Sequence, residues 1–337
     1  MSDSGNRRVV VTGSVAFDYL MTFSDRFLDV LVPDRMHRLS VSFRVESMRR
    51  VRGGCAPNIA YSLARLGAEP VIMATAGSDA REYRDWLAAA GVDVSLLALH
   101  DDVFTASFFV TTDRDQNQVG TFYSGAMDRA RDLSFHDLPP NRVAMAVIAP
   151  NDPQAMARYA GECRALGIPF MYDPSQQVAQ LTGEQLLAGL EGAAIFIGNE
   201  YEFGIIEKKT GLTESELLAR VPVLIVTRGG DGSTIALRGG TPDAAGGVTA
   251  VRVPPARLDA PALDPTGVGD AFRGGLLAAR LAGLPWAVAG RVGSLAAAYA
   301  LEASEPQPKP YSLAEFRARY EANFGPGDVP QLLRLGS

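Results

Sequence analysis

Short apolar runs rich in Val and Ile recur along the chain, each ending in Gly, Asn, Asp or Thr and each followed by a stretch of helical period. This rhythm is that of βαβ units, whose parallel strands are buried on both faces and therefore read as continuous hydrophobic runs. It predicts strands at residues 9–12, 70–75, 143–149, 169–172, 194–197 and 223–227. Helical spacing predicts helices over 58–66, 81–90, 154–166, 214–220 and 271–284. Each strand delivers a polar cluster at its C-terminal end: Gly13 and Ser14, then 77–79, Asn151 and Asp152, 173–177, 199–202 and 227–232. Ligands of open α/β sheets bind along that edge.

Two stretches break the rhythm. Residues 37–51 alternate, with Leu39, Val41, Phe43 and Val45 opposite Arg38, Ser40, Ser42, Arg44 and Glu46, the pattern of a half-buried antiparallel strand. Residues 103–112 and 119–123 have strand composition and flank the polar turn 113–118, which predicts a hairpin. The expected fold is therefore α/β, a doubly wound, mostly parallel central sheet in one domain over 1–337. A small β-sheet lid, built from about 17–52 and 103–124, projects from it. Segments 239–247 and 304–310, rich in Gly and Pro, read as surface loops.

Composition narrows the function. Hydrophobic residues make up 47% of the 337, enough for a full core, and acidic residues outnumber basic ones 38 to 32, so a broad positive surface for polymeric nucleic acid is not expected. Uncharged runs are no longer than twelve residues, at 53–64 and 116–127, short of the ~18 that a membrane helix needs. Cys55 and Cys163 stand alone, which argues against a disulfide framework and fits a reducing, cytoplasmic setting. Only three lysines exist, Lys208, Lys209 and Lys309, and none follows glycine, so a GxxxxGK[ST] phosphate loop cannot be built. His37, His100 and His136 lack metal-ligand spacing, and GxSxG is absent. Gly267 and Gly269 open a GxGxxG pattern, but Phe272 holds its last position.

The strongest local signal is Asp264-Pro265-Thr266-Gly267-Val268-Gly269-Asp270-Ala271-Phe272-Arg273. Glycines crowd the start of an apolar helix, so the amides of Gly267, Val268 and Gly269 can point outward at a helix N-terminus and attract phosphate. Asp270, beside that anion hole, is placed either to accept a proton from an attacking hydroxyl or simply to cap the helix. A second cluster, Gly53-Gly54-Cys55-Ala56-Pro57-Asn58, lets backbone approach a ligand and offers an amide to its hydroxyls; alone it is an ordinary turn.

These two motifs, with the Asn199-Glu200-Tyr201-Glu202 segment and Thr227-Arg228-Gly229-Gly230-Asp231-Gly232 between them, stand in an order that resembles the ribokinase-like carbohydrate kinases, the PfkB family. Within it the chain is similar to bacterial adenosine kinases of mycobacterial type through Val11 to Ser14 with Asp18, Tyr83 to Leu87, Phe122 to Met127 and Asp173 to Gln177. The resemblance implies ATP-dependent phosphorylation of the 5′-hydroxyl of a ribonucleoside, adenosine first, with a sugar kinase acting on ribose as the alternative. Asp270 would be the base, and Gly267, Val268 and Gly269 would hold the transferring phosphate. Ser14, Asp18, Gly53, Gly54 and Asn58 would hold the sugar. Asn199 and Glu202 would organise Mg²⁺ through water, and Asn199, Thr227, Gly229 and Gly232 would line the ATP site. Phe108 and Phe122 would sandwich a purine, or else belong to the core, and Gln176 and Gln177 would bond the base edge. A monovalent cation and a homodimer formed through the lid are also implied. The chain departs from the family pattern in having Phe17 before Asp18, and Val178-Ala179-Gln180 where the mycobacterial type has an Arg shortly after the Gln pair.

Overall fold

The computed structural model describes residues 8–30, 40–138, 143–239 and 248–336. Its strands are β1 (Arg8–Thr12), β2 (Ala16–Thr22), β3 (Ser47–Gly53), β4 (Glu69–Ile72), β5 (Ala74–Gly77), β6 (Leu97–His100), β7 (Ala106–Thr112), β8 (Gln118–Tyr123), β9 (Met145–Ile148), β10 (Phe170–Tyr172), β11 (Ile195–Asn199), β12 (Val223–Thr227), β13 (Ser233–Leu237) and β14 (Thr249–Val253). The helices are α1 (Phe27–Val30), α2 (Cys55–Arg65), α3 (Arg81–Ala89), α4 (Pro153–Leu166), α5 (Gly183–Leu190), α6 (Glu200–Thr210), α7 (Glu214–Leu218), α8 (Val268–Leu281), α9 (Trp286–Leu301), α10 (Leu313–Phe324) and α11 (Val329–Leu332). Among the described residues none is long and apolar enough to cross a membrane.

The central sheet runs β14-β13-β12-β11-β10-β9-β1-β4. Pairing is parallel from β4 to β12 and turns antiparallel at β13 and β14. Residues alternate along β1, so Val9 and Val11 join the core layer under α2, α8 and α9, while Val10 joins the layer under α4, α5 and α6. The chain leaves β1 toward β4 on one side and returns at β9 on the other. The polar clusters after these strands therefore gather at the point where the winding reverses, the usual ligand crevice of such sheets.

A second sheet, β3-β2-β7-β8, projects from this layer. The 17–52 and 103–124 segments supply it, but with different limits from those expected. The alternation at 41–45 forms no ladder: Phe43 instead packs its ring on Phe23 and Phe27, at centroid distances of 5.2 and 5.0 Å. The strand that pairs with β2 is the arginine-rich β3, starting at Ser47 opposite Thr22. Positions 37–39 of the expected strand, and 240–247 of the expected loop, lie outside the described residues.

The expected strand 70–75 divides at Met73 into β4, which pairs with β1, and β5, which pairs with β6 in a separate two-stranded sheet. All of Val71 to Ala76 is buried, so no polar residue marks the break. Several helices start earlier than periodicity predicts. Asp152 caps α4 by accepting from the Ala155 amide, Pro153 takes the first turn and Gly167 ends the helix in the left-handed region. The segment 304–310 is not a surface loop throughout, because Pro306, Gln307 and Pro308 are buried.

Candidate active site

An open cavity of about 1750 Å³ lies between the C-terminal edge of the central sheet and the inner face of the projecting sheet. Ser14, Asp18, Gly54, Asn58, Phe108, Phe122, Gln176, Gln177, Asn199, Glu202, Thr227, Gly229, Gly232, Gly267, Val268, Gly269 and Asp270 all stand on its wall. Gly53 does not. It lies behind Asp18, where an added Cβ would come within 2.6 Å of Asp18 Oδ2, so the bare backbone makes room for that carboxylate.

The N-terminus of α8 opens onto the cavity. Gly267 occupies the cap position at φ 77°, a left-handed conformation natural to glycine, and no side chain caps the helix. The capping alternative for Asp270 is therefore not what the structure has, and no side chain covers the first-turn amides, of which Val268 donates to the Pro265 carbonyl at 3.4 Å. The Asp270 carboxylate turns away from its own helix to accept from Asn58 Nδ2, at 2.8 Å, through Oδ2. Burial pushes its pKa up to about 7, against the opposing pull of Arg273 and the Asn58 hydrogen bond.

Arg273 escapes detection by pattern alone. It is 4% exposed, one turn along α8, and donates to Asp173 Oδ1 at 2.7 Å and to the Gly269 carbonyl at 2.9 Å, with Nε against the second Asp173 oxygen. Burial works against its charge, but Asp173 and Asp270 more than offset this and hold the guanidinium above its ordinary value. A buried cation thus sits against the first turn of α8. Its sequence signal is a charged residue inside an otherwise apolar and glycine-rich helix start, paired with an acid at a strand end.

Around Asp18 the structure distributes roles unevenly. Asp18 points from β2 into the cavity, and burial, with the nearby Asp264 charge, lifts its pKa to about 6. Ser14 accepts from the Cys55 amide at 3.2 Å and so secures the start of α2. Asn58 spends one N–H on Asp270 and its carbonyl on Gln307, leaving one N–H for a ligand. Gln307 is a second residue that sequence reasoning missed.

Phe108 and Phe122 face each other across β7 and β8 and are 37% and 52% exposed, so they belong to the cavity wall and not to the core. The two glutamines differ. Gln176 is exposed, with Nε2 3.8 Å from Cys55 Sγ, whereas Gln177 is buried and donates to the Asn151 carbonyl at 2.8 Å, its Oε1 covered. Gln176, not Gln177, offers its amide to the cavity in this conformation.

Asn199 and Glu202 form the capping box of α6: Asn199 Oδ1 accepts from the Glu202 amide at 2.8 Å, and Glu202 Oε2 accepts from the Asn199 amide at 2.7 Å. Glu202 Oε1 accepts from Ser175. Among the described residues no group of three or more His, Cys, Asp or Glu side chains could hold a metal ion. The oxygens of Asn199 and Glu202 suit an ion held mainly by water and phosphate oxygens, as Mg²⁺ characteristically is.

Comparison with known proteins adds four findings. Residues 6–311 match the profile of the pfkB family carbohydrate kinases. The nucleoside kinase of Methanothermobacter thermautotrophicus is 30% identical over 328 residues, 96% of this chain and 98% of that protein. The solved structure of a nucleoside kinase from Burkholderia thailandensis in complex with inosine superposes with a TM-score of 0.81 at 36% identity, over 94% of this chain and 98% of that one. A nucleoside kinase from Methanocaldococcus jannaschii, 25% identical, does so with a TM-score of 0.79 over 95% of this chain and all of that one.

Proposed function

Because the chain belongs to the PfkB family of carbohydrate kinases, we propose that its cavity holds ATP and a purine ribonucleoside, adenosine foremost, and transfers the γ-phosphoryl group to the 5′-hydroxyl. The observation that carries this reading is the Asp270 carboxylate beside the first-turn amides of α8, which no side chain covers. Phosphoryl transfer needs positioning and charge stabilisation more than covalent chemistry. Asp270, with a pKa near neutrality, accepts the hydroxyl proton, and the helix N-terminus with Arg273 against its first turn stabilises the charge on the transferring group.

Asp18 and the remaining Asn58 N–H bind the ribose hydroxyls. Phe108 and Phe122 stack on the base, and Gln176, which can both donate and accept, reads its polar edge. Thr227, Gly229 and Gly232 line the donor nucleotide. Asn199 and Glu202 would hold a hydrated Mg²⁺, which would neutralise phosphate charge during transfer. The sheet β3-β2-β7-β8 is the lid that excludes water over the acceptor. The nucleoside class is supported by the exposed aromatic pair, which a free sugar has no use for, and by the relatives, one of which is complexed with inosine.

The test is ADP release with ATP and Mg²⁺ across adenosine, inosine, other ribonucleosides, ribose and a hexose. Adenosine is expected to be turned over to AMP. Turnover of ribose or a hexose with no nucleoside turnover would replace this reading by the sugar kinase alternative.

A further inference from the structure

Segment 304–310 touches three parts of the site at once. Glu305 pairs with Arg52 of β3 at 3.2 Å. Pro306 packs on the α8 cap, where a Cβ added at Gly267 would come within 2.8 Å of it. Gln307 Nε2 donates to Asn58 Oδ1 and, at 3.2 Å, to Tyr83 Oη. Tyr83 Oη donates in turn to the Gly53 carbonyl at the end of β3, at 3.1 Å. A hydrogen-bond chain therefore runs Gly53, Tyr83, Gln307, Asn58, Asp270.

With Asp270 ionised, its directions are forced. A carbonyl and a carboxylate only accept, so Asn58 must turn Nδ2 to Asp270 and Oδ1 to Gln307, and Gln307 must spend both N–H groups as it does. Reversing Asn58 would set two acceptors against each other at Asp270 and two amino groups against each other at Gln307. The arrangement leaves Gln307 Oε1 buried without a hydrogen-bond partner, an unfavourable feature that packing alone does not require. Prolines on both sides of Gln307 fix the backbone that presents it.

We propose that Gln307 is a positioning residue for phosphoryl transfer: it locks the Asn58 amide so that one N–H stays on Asp270 Oδ2 and the other carboxylate oxygen is left to the substrate hydroxyl. Through Tyr83 and Gly53 the same chain ties the base to the strand on which the lid is hung. The inference rests on Asp270 being the proton acceptor. The other groups facing Asp270 are Cys55 on α2, Arg273 on α8 and Asp173 after β10, none of which bonds to Gln307, with Tyr83 of α3 farther off, which would lose only the hydrogen bond its Oη accepts from Gln307.

Gln307→Leu and Gln307→Met remove the amide at similar volume, so one folded variant of the two suffices. Either is expected to lower kcat about 10- to 100-fold, the scale of a misplaced catalytic group, with KM for nucleoside and ATP within about threefold. The acid limb of the kcat profile should move to higher pH, because a freed Asn58 no longer reliably donates to the carboxylate. In an Asn58→Ala background the Gln307 change should cost nothing further. A titration of the Asp270 carboxyl by ¹³C NMR, assigned with Asp270→Asn, should move upward in the same variants and does not depend on turnover. A folded variant with kcat within about twofold of wild type and an unmoved titration would overturn the proposal. If wild-type protein turned over no nucleoside or sugar, the kinase reading would fall instead, while the Asp270 titration would still decide the part played by Gln307.

Discussion

Asp270→Asn separates the charge of the candidate base from its shape. Asn can still accept from Asn58, so packing and the hydrogen bond persist while the negative charge is lost. Burial lifts the Asp270 pKa from 3.8 to about 7. At 1.36 kcal/mol per pH unit, keeping that carboxylate charged in the fold costs up to about 4 kcal/mol relative to the unfolded chain. The residue retains a partly exposed edge toward the cavity, where water screens the charge, so about 1 to 3 kcal/mol is the realistic range. The folded-state pKa is the higher one. The stabilisation from the bound proton is therefore fully present below pH 3.8 and lost as pH rises through about 7.

The variant escapes that loss. In urea unfolding, Asp270→Asn is expected to be more stable than wild type by about 1 to 3 kcal/mol near pH 8, with the gap closing toward about pH 4. Near pH 8, where the wild-type carboxylate is largely ionised, it should lose about 10²- to 10⁴-fold in kcat with nucleoside affinity little changed. The two effects have one cause, a charged carboxylate held in a poorly solvated place because the reaction needs it there. Retention of more than about a tenth of wild-type kcat would move the proton acceptor elsewhere. Equal stability of the two proteins at both pH values would show that the carboxylate carries no desolvation cost, and the argument from burial would fail with it.

Wild-type kcat should fall on the acid side with a midpoint near pH 7, as Asp270 takes up a proton; a flat profile down to about pH 5 would refute this. Asp18→Ala should weaken nucleoside binding by about 1 to 3 kcal/mol and also lower kcat, because the sugar loses the carboxylate that aligns it, and unchanged kinetics would make Asp18 purely structural. Arg273→Met should destabilise the fold by about 3 to 5 kcal/mol in urea, since it leaves the Asp173 charge buried and unpaired; a loss below about 1 kcal/mol would mean that water reaches Asp173. The outer edge of β3, which pairs on one side only among the described residues and carries exposed Met48, should join a second copy, so light scattering at micromolar concentration should report a dimer and a monomer would count against it.

The alternation of buried strands and helices was legible because parallel strands covered on both faces are hydrophobic without interruption, and β1, β9, β10, β11 and β12 all meet that condition. The same property hid the break between β4 and β5, since the chain changes sheets at Met73 without meeting solvent. The projecting sheet suffered the opposite problem. Its β3 is largely exposed and rich in arginine, so hydrophobic patterning favoured residues 37–51, of which Phe43 packs as a single side chain on Phe23 and Phe27. Pairing with β2, not apolar content, decides where that strand lies.

The site shows a related division between contiguous and distant chemistry. An anion hole is built from consecutive backbone amides, so its glycines must be neighbours in sequence, and the run from Asp264 to Asp270 announces it. The side chains that set the charge and direction of Asp270 have no such requirement. Arg273 meets Asp173 across 100 residues of chain, and Gln307 meets Asn58 across 249. Each was visible locally only as a small inconsistency: an arginine on the buried face of α8, and a glutamine enclosed by prolines in a segment that composition assigns to the surface. Polar groups placed where local rules call for apolar or exposed residues are costly to bury, and a fold keeps them when they are paired with one another or with the reaction. Here the two inconsistencies converge on the same carboxylate, Arg273 opposing its uptake of a proton and Gln307 fixing the donor it faces.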